Sequence, residues 1–321
     1  MPAYVETMMY AGAVPWHGLG TYVGDDDILS DEAIVAAGLD WSADKTPLFY
    51  EESSDSPWGS PSTKKIDTHV AMIRSDNKRC LGIVGDGYTP LQNKDSFALM
   101  DSLVKDGEMK YHTAGSLREG KQVWLLGQIG SFDVVPGDRV DKFMMLSNSH
   151  DGSSALRMFF TNVRVVCANT AALALDGARG KGMTLRHTKN LTNRVEQAQK
   201  ALALAVKHHE KMEEFMRHLA DTNMTASKMD EFINSLIPLP EEGKSMTRAE
   251  NQQGQLLELF ERGRGQDIPG VRGTAWAAFN AVTEYTNYER STRGGQSNRF
   301  ESALFGSGAK MVDQAVKLLA A

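Results

Sequence analysis

The stretches KYHTAGSLREGKQVWLLGQI, residues 110–129, and DKFMMLSNSHDGSSALRMFF, residues 141–160, decide the fold. In each, runs rich in β-branched, aromatic and long apolar residues are broken once by residues that favour tight turns. Arg118, Glu119 and Gly120 break the first, and the SNSHDGSS segment around Asp151 and Gly152 breaks the second. Two hairpins in succession predict an antiparallel meander.

Upstream, THVAMIRS (68–75) and RCLGIVG (79–85) read as further strands, with Asp86 and Gly87 as turn residues. ESSDSPWGSPSTKK (52–65) is rich in Ser and Pro and predicts a mobile loop or hairpin tip. Two short helices are expected. One starts at Ser30 as N-cap, with acids in its first turn, and ends at Gly38; the other runs from Asn93 to Gly107.

Downstream, FTNVRVVCANTAALAL (160–175) continues as a strand passing into a helix or loop, and the character changes near Thr188. Apolar residues from Leu191 to Leu219 recur at helical spacing and predict one long amphipathic helix from Asn190 to about Ala220. ASKMDEFINSLI forms another, stopped by Pro238 and Pro240, and three more helical or polar pieces follow. The fold class is therefore α+β: an antiparallel β-meander body with flanking helices and a helical C-terminal region. The organisation expected is an α+β core with an acidic N-terminal segment over residues 1–188 and a helical region over 189–321.

Charge is distributed unevenly. Residues 1–60 hold eleven acids and one base, Lys45, whereas residues 157–194 hold seven cations against the lone Asp176, in a chain of net charge −6. A cationic stripe set in an acidic body suits a protein that holds phosphates on one face. Arg157, Phe160, Arg164, Arg179, Lys181, Arg186, Lys189 and Arg194 are the nucleic-acid-binding candidates, cations to track phosphates and an aromatic on which a base can stack. Gly177, Gly180 and Gly182 let the backbone approach a ligand, and Arg262, Arg264, Arg272, Arg290, Arg293 and Arg299 form a second cationic group.

Catalytic constellations are weaker. Ser149, His150 and Asp151 are consecutive and so point apart, which does not make a triad. Asp106, Glu119 and Lys121 have the residue types of a metal-dependent nuclease, but Glu119 falls on a turn that would hold a metal poorly. His208, His209 and His218 do not share one helix face, so no metal or cofactor is expected. Cys80 and Cys167 are expected to be small buried hydrophobes in a reducing compartment. No segment is apolar enough to span a membrane, and the first residues lack the pattern of a secretory signal; a cytoplasmic location is expected.

The strings PWHGLG from Pro15, GYTPLQN from Gly87, RVVCANT from Arg164 and WAAFNAVTEY from Trp276 together resemble a widespread phage and plasmid family that carries a domain-of-unknown-function label. In general layout that family is more remotely similar to phage single-strand annealing proteins. The function expected is single-stranded DNA binding and annealing for phage or plasmid recombination or replication, by a non-enzymatic homo-oligomer. Asp25, Asp26 and Asp27 offer an acidic patch for the basic pole of a neighbour. The alternatives are a metal-dependent nuclease or other phage enzyme, and an accessory factor whose partner is another protein.

Overall fold

The structure, a computed structural model, describes residues 5–12, 20–24, 28–52, 61–164, 169–171, 183–188, 209–240, 246–291, 302–303 and 306–320. The expected hairpins form and sit at the centre of one eight-stranded sheet. It comprises β1 (Val5–Tyr10), β2 (Thr21–Tyr22), β6 (Lys110–Leu117), β7 (Gln122–Asp133), β8 (Arg139–Ser149), β9 (Leu156–Arg164), β10 (Asn169–Ala171) and β11 (Met183–Leu185). The strand order is β10-β9-β8-β7-β6-β1-β2, with β11 pairing β9 as well. All these pairs are antiparallel except β1 with β2. At the β6–β7 turn Arg118 and Glu119 adopt φ of 53° and 63° and Gly120 adopts 89°, the left-handed backbone that reverses a strand tightly.

A second sheet takes β3 (Ala43–Glu52), β4 (Ser62–Arg74) and β5 (Cys80–Gly85), in that order. β5 covers only the stretch of β4 from His69 onward, so β3 and β4 continue past it as a two-stranded arm with Phe49 and Tyr50 exposed. Of the loop or hairpin tip expected over 52–65, Glu52 ends β3 and Ser62–Lys65 are paired in β4, while 53–60 lie outside the described residues. Cys80 departs from its expected burial: it is exposed on β5, at the end of the β4 pairing. Cys167 lies outside the described residues. Arg74 pins the second sheet to the first. Its buried guanidinium meets both carboxylate oxygens of Glu6 at 2.7 Å, is held by Asp76 through Nε and Nη2, and lies 4.4 Å from the Trp41 ring centre.

The first core packs α1 (Ser30–Ala36), α2 (Asn93–Ala98) and α3 (Asp101–Lys105) on the large sheet, with Met9, Ile34, Leu39, Phe97, Leu103 and Leu125 inside it. The expected N-cap shifts by one residue: Leu29 takes that place and makes no side-chain cap, and Ser30 begins the helix. The cap is supplied from outside instead. Asp101 accepts from both the amide and the hydroxyl of Ser30, at 3.0 and 2.7 Å, and from the Tyr111 hydroxyl at 2.7 Å. The helix expected over 93–107 breaks at Leu99 and Met100 into α2 and α3.

The second core is helical: α4 (His209–Asp221), α5 (Ala226–Leu236), α6 (Thr247–Arg262), α7 (Ala275–Glu284) and α8 (Ser307–Leu319). Residues 190–208 of the expected long helix lie outside the described residues. Every residue of α7 is buried, as suits a helix whose AWAAF sequence is apolar all round. Its N-cap is Thr274, which accepts from the Ala277 amide. The chain then widens into a π-helical turn, Tyr285–Glu289. The helical core also takes Phe132 and Val140 from the facing ends of β7 and β8, and Val134 from the turn between them. No described helix is long and apolar enough to cross a membrane.

Candidate nucleic-acid interface

Side chains alternate along β9, and this decides which candidates share a face. Leu156 and Met158 enter the first core, Asn162 bonds the Met212 sulphur of α4, and Phe160 packs against both cores. Arg157 and Phe159 lie on the opposite face, where Phe159 joins Met8, Leu117, Trp124 and Met145. Phe160 is thus a wedge between two cores and not a stacking platform beside Arg157.

On that opposite face the register lines up Trp124, Ser147, Arg157 and Thr184 across β7, β8, β9 and β11. Gln122 donates to the Ser147 hydroxyl at 3.0 Å. Exposure rises along the row: Trp124 and Ser147 are buried, Arg157 is half-buried and Thr184 is exposed. Arg186 follows two residues after Thr184 and is exposed. Arg157, one strand in from the edge, and Arg186, just past the end of the edge strand β11, are therefore placed near one another, an arrangement a phosphate backbone can follow.

His187 holds the end of β11 in place. Its carbonyl accepts from the Thr89 amide at 3.2 Å, its Nδ1 meets the Thr89 carbonyl at 3.1 Å, and its ring stacks on Tyr88 at 4.7 Å. Tyr88 donates its hydroxyl to the Ser149 carbonyl at 2.8 Å. Next to this post His150 is fully buried, with Nε2 2.8 Å from Asn93 Oδ1 and its ring edge-on to Trp41 at 5.2 Å. Asn93 in turn donates to the Leu39 carbonyl, and Gln92 clasps both the amide and the carbonyl of Ala43. The GYTPLQN segment is accordingly a strap that joins β3, the β8–β9 turn and β11. Burial, reinforced by the neighbouring His187, lowers the His150 pKa to about 4 against the opposing pull of Asp151. Burial likewise lowers His187, opposed by its bond to Thr89, and burial followed by the charge of Asp151 raises Tyr88. His150 Nδ1, His187 Nε2, Asn148 Oδ1 and Trp41 Nε1 have no hydrogen-bond partner among the described residues.

The other candidates fall elsewhere. Arg164 ends β9 opposite Val140 and Asn169, seven positions and about 23 Å along the strand from Arg157. Arg179, Lys181, Lys189 and Arg194 lie outside the described residues, as do Gly177, Gly180, Gly182, Asp25, Asp26, Asp27, Arg293 and Arg299. In the second cationic group Arg262 and Arg272 are exposed, while Arg264 donates its amide to buried Glu284 at 3.0 Å and lays its guanidinium 4.9 Å from the Tyr288 ring centre. Glu119 pairs with Arg79 at 3.0 Å, Asp106 is exposed after α3, and the Lys121 carbonyl accepts from the His150 amide. No group of three His, Cys, Asp or Glu able to hold a metal occurs among the described residues. Sequence reasoning missed Thr184 and His187, although the alternation in MTLRH, residues 183–187, was a visible sign of a half-buried edge strand.

Residues 80–304 match the family model described as Domain of unknown function (DUF932). No curated protein and no solved structure matches the chain.

Proposed function

The chain belongs to the DUF932 family, and we propose from its own residues that it binds single-stranded DNA and promotes annealing, in phage or plasmid recombination or replication. The observation that supports this reading is the edge at β9 and β11, where Arg157 and Arg186 emerge beside Thr184 within the one strongly cationic stretch of an acidic chain. Cations at a sheet edge neutralise phosphates and leave bases turned outward for a complementary strand. Annealing by this route requires no nucleophile and no metal. A homo-oligomer would extend the edge along a strand, with the acidic N-terminal residues of one copy near the basic edge of the next.

The test is a mobility shift of purified protein with single- and double-stranded oligonucleotides across a salt series, with and without Mg²⁺. Binding of single strands that weakens steeply with salt supports the reading. Affinity that is absent, or indifferent to salt, removes it. Loss of intact oligonucleotide in the Mg²⁺ arm favours a nuclease instead.

A further inference from the structure

A cleft of about 380 Å³ opens between the first half of α6 and the π-helical turn after α7, well separated in sequence from β9 and β11. That volume lies at the small end of the range typical of small-molecule sites, about 300–1,000 Å³. Its wall on α6 is a single stripe, because Arg248, Asn251, Gln252 and Gln255 recur at three- and four-residue intervals. At about 1.5 Å of rise per residue the stripe runs for about 10 Å. The opposite wall carries Tyr285 and Glu289.

The lining chemistry is selective. A guanidinium stands at one end of the stripe and three carboxamides continue it, with a phenol ring and a carboxylate across from them. Among the described residues the lining side chains are polar, charged or aromatic, which favours a polar ligand. Carboxamides pair in two-pronged fashion with the edges of heterocyclic bases, and a guanidinium pairs in the same way with phosphate oxygens. Glu289 adds an acceptor suited to a base amino group or a sugar hydroxyl. This wall is a π-turn that closes with the Arg290 amide donating to the Tyr285 carbonyl at 2.8 Å. Single π-turns inside helices occur frequently at functional sites.

We propose that this cleft binds one nucleotide unit, its phosphate at Arg248 and its base edge along the carboxamides of Asn251 and Gln255. The site is independent of strand binding at β9 and stands or falls separately from it. Two sources supply the same chemistry, a free mononucleotide and the phosphorylated end of a strand.

Calorimetric titration of the full-length protein separates them, using AMP, GMP, CMP and UMP, then adenosine and inorganic phosphate alone, then a short oligothymidylate with and without a 5′-phosphate. At least one mononucleotide, or the 5′-phosphorylated oligonucleotide in preference to its unphosphorylated form, is expected to bind. Adenosine and phosphate alone should each bind at least roughly tenfold more weakly than the whole nucleotide. Arg248→Ala and Gln255→Ala should each weaken that binding by roughly tenfold, with an unchanged melting temperature, since both side chains are exposed. Arg157→Ala should leave it unaltered. Saturation by mononucleotides assigns the free ligand, and binding of the phosphorylated strand end alone assigns the terminus. Absence of binding by every probe, or affinity unaltered in both cleft variants, overturns the proposal.

Discussion

Trp276, buried in the middle of the helical region, donates its indole N–H to Asp138 at 2.8 Å, at the turn between β7 and β8. The bond spans 138 residues of sequence and fastens the helices to the sheet. Trp276→Phe keeps most of the ring but withdraws one donor from a fully buried carboxylate. A loss of about 1–3 kcal/mol is expected, read from urea unfolding. A variant as stable as the parent would show that the bond contributes nothing net.

Acid should weaken the fold through its imidazoles. His150 titrates near 4 in the folded protein against 6.5 when free, and His187 is shifted the same way. The unfolded chain therefore binds protons more readily between these values, and stability present above about pH 6.5 is lost as pH falls toward 4. His150 steepens the loss by about 1.4 kcal/mol per pH unit in that window, and His187 adds to it in the same direction. Melting temperatures between pH 7 and 4.5 should show it, and His150→Gln should flatten the slope even if it lowers stability at pH 7. A slope identical in the variant would assign acid sensitivity to other groups.

Arg157 and Phe160 should separate cleanly when replaced. Phe160→Ala opens space between two cores and is expected to cost about 3 kcal/mol. Arg186→Ala, at an exposed position, should leave stability within about 0.5 kcal/mol. Arg157→Ala and Arg186→Ala should each reduce the salt dependence of single-strand affinity by about 0.7 in log–log slope, one phosphate contact apiece. An unaltered slope in both would move the DNA site away from this edge.

Gly115 permits a close approach of β1 to β6 within the large sheet. A Cβ there would stand 2.5 Å from the Thr7 carbonyl oxygen and against the Trp124 ring. Gly115→Ala should therefore destabilise by about 1–3 kcal/mol, since backbone on β1 cannot rotate away. Gly254→Ala, on the exposed side of α6 with nothing within 4 Å, should stabilise instead by up to about 1 kcal/mol.

The hairpins were legible because Gly120 and the Asp151–Gly152 turn punctuate apolar runs at strand spacing, although the expected SNSHDGSS turn is shorter than read, its first three residues, Ser147–Ser149, being the end of β8. The face of Phe160 was not, since LRMFFTN is buried on both sides of β9 and its pattern carries no clean alternation. His150 was legible as part of a turn, but its burial depends on Asn93 and Trp41, 57 and 109 positions earlier, and no local signal encodes that. The joining of the two sheets likewise rests on the contact of Arg74 with Glu6, 68 positions earlier, which no strand's own composition announces. Of the site, Arg157 and Arg186 could be picked from charge alone, whereas bringing them together required the pairing of Thr184 with Arg157.

Phe160 touches both cores, and Phe132, Val134 and Val140 belong to the helical one although they lie in or just beyond strands of the sheet. A fragment ending at residue 188 would carry these four side chains with the helices that cover them removed, leaving an oily flank along three strands. Such a half-protein should clump on expression, and mixing it with the complementary fragment 189–321 should restore solubility, the two pieces behaving like a cut molecule and its plug.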